Sequence, residues 1–165
     1  MKIMLKKLSI LFIAAFVAVS VSETFAQGIR YRTGFEDVSI KVLRCAVQSD
    51  NSCTVDFFME NNGNRDYRLL ATTWSSVVHV NRAYDDMGNE YSKITMAVGN
   101  TSKYVGEWDK VKNFPAGVAL KVRVKISDVS ELATELKRLD IDLCDESQWN
   151  SSRRPVTLFD IPISR

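Results

Sequence analysis

Apolar and polar residues alternate along most of the chain beyond residue 37. Between Val38 and Val47 every second residue is apolar, and the phase of the alternation changes at Val42–Leu43. A period of two is typical of a β-strand with one buried face, and the phase change predicts a β-bulge. The same alternation predicts further strands over residues 53–60, 66–73, 77–84, 90–98, 118–126, 139–143 and 156–163.

The predicted strands are separated by residues that favour turns, namely Asn61–Asn64, Asp85–Asn89 and Phe114–Gly117. Seven or eight short strands with turns at this spacing indicate an all-β protein, an antiparallel β-sandwich. A small barrel is the alternative architecture. No alternation of strands and helices is present, so the pattern does not favour a parallel sheet.

One segment interrupts the β pattern. Asp128 and Glu131 have the spacing of a capping box, and Leu132, Leu136 and Leu139 follow at the spacing of a helix face. The sequence therefore predicts one short helix near residues 129–138.

The first 26 residues have the features of an export signal. Three lysines precede the apolar run Leu8–Val21, and small residues, Thr24 and Ala26, lie at the −3 and −1 positions of a cleavage site before Gln27. The apolar run is short for a membrane anchor, and no cysteine follows it to carry a lipid. We therefore expect a secreted or periplasmic protein with a flexible lead-in over 27–37, a single domain over 38–165, and no membrane span in the mature chain.

The charge of the mature chain is balanced. The predicted signal peptide contains Lys2, Lys6, Lys7 and Glu23, so of the 22 basic and 20 acidic residues the other 139 positions hold 19 of each. A net charge of zero gives no overall attraction to nucleic acid or anionic lipid. We therefore expect no nucleic-acid partner.

Three cysteines lie in the mature chain, and export permits disulfide formation. Cys45 and Cys53 are placed symmetrically about Ser49, so a hairpin centred there would oppose them directly. This spacing favours a Cys45–Cys53 disulfide over two reduced core cysteines. Cys144 is then predicted to be a free thiol, partly buried, unless it pairs with another chain.

The residues suggest no catalytic site, metal site or cofactor. The single histidine, His79, lies within a predicted strand, and the three cysteines lack the spacing of a zinc site. The acidic turn Asp85–Glu90 could bind calcium, but a hairpin turn explains its glycine and asparagine.

Three aromatic residues near predicted loops are candidates for ligand binding: Tyr104, Trp108 and Trp149. Exposed aromatic side chains can stack on sugars or anchor a protein partner. Burial of one or more of them in the core is the alternative.

Several strand ends and turns together resemble a known group of domains. Asn62–Gly63 ends one strand, Gly88–Tyr91 closes an acidic hairpin, and Pro115–Gly117 leads into a long alternating strand, while VTLFDIPI closes the chain. These features resemble the small immunoglobulin-like β-sandwich domains of exported bacterial, Bacteroides-like proteins, many of unknown function. The resemblance implies an immunoglobulin-like fold and transfers no catalytic residues.

These features favour a non-catalytic binding or accessory module of the cell envelope, which would recognise a protein or glycan through loops at one end of the sandwich. Two alternatives stay open. One is an envelope hydrolase with paired carboxylates, and the other is a structural subunit that assembles by edge-strand pairing. The sequence leaves the oligomeric state and the identity of the partner open.

Overall fold

A computed structural model describes residues 28–71, 81–99, 112–145 and 152–165 of the chain. Their strands are β1 (Tyr31–Thr33), β2 (Val38–Val47), β3 (Cys53–Asn61), β4 (Tyr67–Ala71), β5 (Arg82–Asp85), β6 (Glu90–Tyr91), β7 (Ile94–Val98), β8 (Lys112–Phe114), β9 (Ala119–Ile126), β10 (Glu135–Asp145) and β11 (Ser152–Pro162). The described residues contain no helix, and thus none that could cross a membrane. The prediction of an all-β protein is confirmed.

The strands form two antiparallel sheets, as in a β-sandwich. The four-stranded sheet has the order β2-β3-β9-β7. The seven-stranded sheet has the order β1-β11-β10-β4-β8, and β5 pairs with β10 beside β4 and carries β6 on its other side. The described residues thus contain eleven strands rather than seven or eight, because short strands such as β1 and β8 have too few residues to show an alternating pattern.

One apolar core lies against both sheets. Side chains from the inner face of the four-stranded sheet and from the central strands β10 and β11 belong to the same buried cluster. Its fully buried members include Val55, Phe57, Met59, Val124, Leu139, Ile141, Leu143 and Leu158. Burial of alternate residues on facing strands is what the period of two predicts.

The predicted β-bulge is confirmed in β2. Val42 pairs with Phe57, and Arg44 pairs with Asp56, so Leu43 is an extra residue without a partner on β3. One extra residue reverses which positions face the core beyond it. Arg44 consequently lies on the outer face of the sheet, and Cys45 on the inner face.

The predicted helix near residues 129–138 is wrong. The second half of the expected helix belongs to strand β10, in which Leu136 lies opposite Ile161 of β11. Before the strand, Val129 N donates to the Asn51 carbonyl at 2.9 Å, and Ser130 N to the Tyr91 hydroxyl at 3.1 Å. Asp128 has a φ of 60° and pairs with Lys93 at 2.8 Å, so it does not cap a helix. The segment is a series of turns that ends where β10 begins.

The leucine spacing has a different cause from the one predicted. Leu136 and Leu139 are both fully buried although they belong to the same strand. The register of β10 against β5 shifts between Leu136 and Arg138, so a second bulge turns both leucines to the core. Leu132, the third member of the predicted helix face, is 73% exposed.

The predicted flexible lead-in over 27–37 contains a strand. β1 pairs with β11, with Arg32 opposite Thr157. Gly34 N donates to the Pro155 carbonyl at 2.8 Å, and Phe35 is buried. The described part of this segment therefore extends the seven-stranded sheet.

Candidate functional site

Most charged residues of the four-stranded sheet lie on its outer face. Directly paired residues point to the same face, so the register places Arg44, Asp56 and Arg123 in one row across β2, β3 and β9. Lys41, Phe58 and Lys121 form the next row, and Ala46, Thr54 and Lys125 the row on the other side. We call the cations of these rows, with the carboxylate at their centre, the basic face: Lys41, Arg44, Lys121, Arg123, Lys125 and Asp56.

Asp56 holds the arginines of the basic face in place. Its carboxylate accepts hydrogen bonds from Arg44 Nε at 2.8 Å and from Arg123 Nε and Nη2 at 2.7 and 3.2 Å. Lys121 Nζ is 3.8 Å away. The Asp56 side chain is 2% exposed, whereas those of Arg44 and Arg123 are 52% and 40% exposed. The carboxylate thus lies beneath cations that reach solvent.

Asp56 is held in its ionised form. Burial alone would raise its pKa, but hydrogen bonds from Arg123 and Arg44 and the charges of Arg123 and Lys121 outweigh burial, so the pKa is lowered. Its negative charge fixes the orientation of both guanidinium groups. Arg44 donates to Asp56 through Nε alone, so its terminal nitrogens have no recorded partner among the described residues.

The basic face opens at one end into a cleft of about 320 Å³. The cleft is lined by the turn between β2 and β3 and by the ends of the charged rows, with the residues Arg44, Gln48, Ser49, Asp50, Thr54, Arg123 and Lys125. Asp50 accepts a hydrogen bond from Lys125 Nζ at 2.7 Å and another from Ser52 Oγ at 2.5 Å. These two bonds, that of Lys125 first, lower the pKa of Asp50.

The predicted disulfide cysteines lie under the same end of the sheet. The turn runs from Gln48 to Ser52, so Cys45 lies opposite Val55 rather than opposite Cys53 as a turn centred on Ser49 would require. The two sulfur atoms are nevertheless 3.1 Å apart and fully buried, and the structure records both residues as thiols. The disulfide itself stays a prediction.

The two thiols titrate as a pair. The hydrogen bond between them raises the pKa of Cys45, and burial acts in the same direction. The same bond lowers the pKa of Cys53, with help from the positive charge of Arg165. The first proton therefore leaves Cys53, and the resulting thiolate is stabilised by the Cys45 S–H group.

The remaining candidate residues are placed as follows. Cys144 is half-buried in β10 and belongs to no disulfide. Tyr104, Trp108, Trp149 and His79 lie outside the described residues, so their predicted roles stay predictions.

The acidic turn forms a hairpin between β5 and β6. Buried Asp85 accepts hydrogen bonds from the backbone of Met87 and Asn89 at 2.9 and 2.8 Å and from the Tyr91 hydroxyl at 2.6 Å. Gly88 adopts a φ of 85°, which glycine permits at no steric cost. Asp85 therefore stabilises the turn, and the described ranges contain no group of three side chains that could hold a metal ion.

A second cleft, of about 380 Å³, lies beside β1. Arg30 and Arg32 approach the Phe159 ring at 5.5 and 5.6 Å from its centroid. Arg30 also pairs with Asp160 at 2.5 Å. The wall of this cleft, as far as the structure describes it, has cations and aromatic rings and no carboxylate.

The sequence indicated only part of the basic face. Lys121, Arg123 and Lys125 alternate with apolar residues in the sequence of β9, and the register puts all three on the solvent-facing side. Lys41 and Arg44 were missed, although the predicted phase change at Val42–Leu43 was the signal that puts both on the same side.

Comparison with known proteins identifies no family for this chain: a scan of protein-family models, a search of curated proteins and a search of solved structures each found no match.

Proposed function

We propose that the protein is an exported, non-catalytic binding module that recognises an anionic protein or glycan of the cell envelope through the basic face. The observation that carries the proposal is the row Arg44–Asp56–Arg123, in which a buried carboxylate holds two exposed guanidinium groups. Arginine held in this way loses little side-chain entropy when it pairs with a ligand carboxylate or phosphate.

The strand order supports an immunoglobulin-like relationship. Immunoglobulin constant-type domains have strands A, B, E and D in one sheet and C, F and G in the other. Strands β2, β3, β9 and β7 have the chain order and sheet order of A, B, E and D. Strands β10 and β11 correspond to F and G, and β4 and β5 share the position of C. Such sandwiches often serve as binding modules, although the fold does not define the ligand.

The loop aromatics remain part of the proposal. Tyr104, Trp108 and Trp149 would add contacts at one end of the sandwich, as their position in the sequence suggests. Recognition would then combine charge pairing on the sheet with stacking on the loops.

Two features favour binding over the alternatives. A hydrolase with paired carboxylates needs two of them facing one cleft, whereas the described residues on the wall of the cleft at the basic face include one carboxylate, that of Asp50. Assembly through the edge strand β2 is opposed by its bulge and by the C-terminal segment, because Ser164 N donates to the Cys45 carbonyl and Val47 N to the Ser164 carbonyl.

Binding of residues 27–165 to two anionic probes, polyglutamate and polygalacturonate, tests the proposal by fluorescence anisotropy. We expect saturable binding to at least one probe that weakens as salt is added, because exposed charges are screened. Arg44→Gln should reduce that binding.

Arg138→Gln is the matched control. Arg138 pairs with Asp140 through Nε at 2.7 Å and its side chain is 54% exposed, but it lies on the outer face of the seven-stranded sheet. The control should bind like the unmodified protein. Absence of binding to both probes, or equal losses in both variants, would overturn the proposal.

A further inference from the structure

We infer that the cleft at the end of the basic face takes a saccharide that carries a carboxylate, as a uronic-acid residue of an acidic polysaccharide does. This inference rests on the proposed function and narrows its ligand from any anion to one chemical class.

The cleft offers guanidinium nitrogen atoms to an anion. The terminal nitrogens of Arg44 have no partner among the residues that the structure describes, and two N–H groups of a guanidinium match the two oxygens of a carboxylate. Asp50 on the wall repels a doubly charged phosphate more strongly than a singly charged carboxylate, which favours the carboxylate.

The neutral groups of the cleft suit sugar hydroxyls. Gln48, Ser49 and Thr54 contribute amide and hydroxyl groups that both donate and accept hydrogen bonds. The Asp50 carboxylate accepts only, and a sugar hydroxyl is a donor that it can pair with. An acidic peptide also pairs with an arginine cluster, but it brings no ring hydroxyl to the Asp50 acceptor, and the lining residues that the structure describes include no apolar side chain to hold a peptide.

An aromatic ring lies one row away on the same face. Phe58 is half-buried between Lys41 and Lys121 and is two residues from Asp56 along β3. Two residues of a strand span roughly 7 Å, which places the ring where the next sugar of a chain would stack. Lys41 and Lys121 flank the ring and would face the carboxylate of that sugar.

The cationic side chains of the cleft are held in place before a ligand binds. Asp56 fixes the Arg44 and Arg123 guanidinium groups, and Asp50 fixes Lys125 with a 2.7 Å hydrogen bond. A site organised in advance loses less conformational entropy on binding.

Calorimetry with three probes on residues 27–165 tests the inference: trigalacturonate, its fully methyl-esterified form and a triglutamate peptide. Trigalacturonate should bind at least about tenfold tighter than the ester, because the ester keeps the shape and removes the charge. Triglutamate should bind more weakly than trigalacturonate. Arg44→Gln should weaken trigalacturonate binding by about tenfold, and Phe58→Ala should weaken it as well.

The outcomes separate this inference from the proposed function. Equal binding of acid and ester, or triglutamate binding as tightly as trigalacturonate, would overturn the saccharide assignment while an anion-binding role stands. No binding of any charged probe would overturn both. Arg138→Gln should leave the trigalacturonate affinity unchanged, and urea unfolding of each variant distinguishes a lost contact from a lost fold.

Discussion

Asp56 determines how the charges of the basic face are organised. A carboxylate with 2% exposure is costly to bury unless it is paired, and Arg44 and Arg123 supply three hydrogen bonds to it. The same bonds fix the arginines, so a single residue links the stability of the sheet to the geometry of its outer surface.

Replacing Asp56 with Asn should therefore destabilise the fold. Two guanidinium groups would lose their counter-charge, and we expect a loss of about 2–4 kcal/mol in the free energy of unfolding at pH 7. Urea denaturation measures it. Asp160→Asn is the control, because Asp160 pairs with Arg30 at the surface. Asp160 has a φ of 52°, which asparagine also adopts readily, so this substitution does not strain the backbone. Surface pairs contribute little, so equal losses in the two variants would contradict the account.

The same substitution should change the dependence of stability on pH. The pKa of Asp56 is lower in the folded protein than in the unfolded chain, so its contribution is complete above the ordinary value of about 4 and is lost as pH falls through the folded value. The stability difference between Asp56→Asn and the unmodified protein should shrink on acidification below about pH 4. A difference that stays constant down to pH 2 would exclude this linkage.

Cys45 and Cys53 lead to a third prediction at this scale. Their sulfur atoms are in contact and Cys53 ionises first, so mild oxidation should form a bond between them and leave Cys144 open to alkylation. The closed loop should add roughly 2–3 kcal/mol to the free energy of unfolding. Peptide mass mapping after alkylation identifies the bond. A bond that involves Cys144, or none at all, would refute the pairing.

At the scale of a single strand, the bulge in β2 determines which side chains face the core. Leu43 has no partner on β3, and beyond it the chain turns Arg44 outward and Cys45 inward. A regular strand that kept Leu43 would instead turn Arg44 inward and Cys45 outward, because successive side chains point to opposite faces.

Deletion of Leu43 should consequently leave every other residue of β2 on the face that it occupies now. Val42 and Arg44 would become neighbours in a regular strand, and we expect a loss below about 2 kcal/mol with the Arg44–Asp56 pair retained. Deleting Lys41, in the regular part of the strand, should cost more, about 3 kcal/mol or above, because Val38 and Ile40 would be turned away from the core. Thermal unfolding ranks the two deletions, and the reverse order would contradict the assigned register.

Bulges also explain where prediction from sequence failed at this scale. Leu136 and Leu139 are three residues apart, which is the spacing of a helix, yet a register shift lets one strand bury both. What replaces the helix is the pairing of β10 with β5 and β11, and these partners are distant in sequence. No local pattern contains that information.

At the scale of the whole molecule, alternation was enough to predict an all-β chain with antiparallel sheets, since long strands such as β9 bury every second residue. The basic face could not be predicted in the same way. Its rows are set by the pairing of β3 with β9, with Asp56 opposite Arg123. The net charge of zero over residues 27–165 is a sum, and it does not show how positive and negative charges are divided between surfaces.

The proposed function requires that a ligand binds on the outer face of the four-stranded sheet. Backbone amide chemical shifts, followed by NMR while residues 27–165 are titrated with trigalacturonate, locate the binding surface. We predict that the largest shifts fall in Arg44–Thr54 of β2, β3 and their turn and in Lys121–Lys125 of β9, and that Arg44→Gln diminishes them. Shifts confined to β1 and Phe159, or to residues 100–111 and 146–151 alone, would contradict the claim.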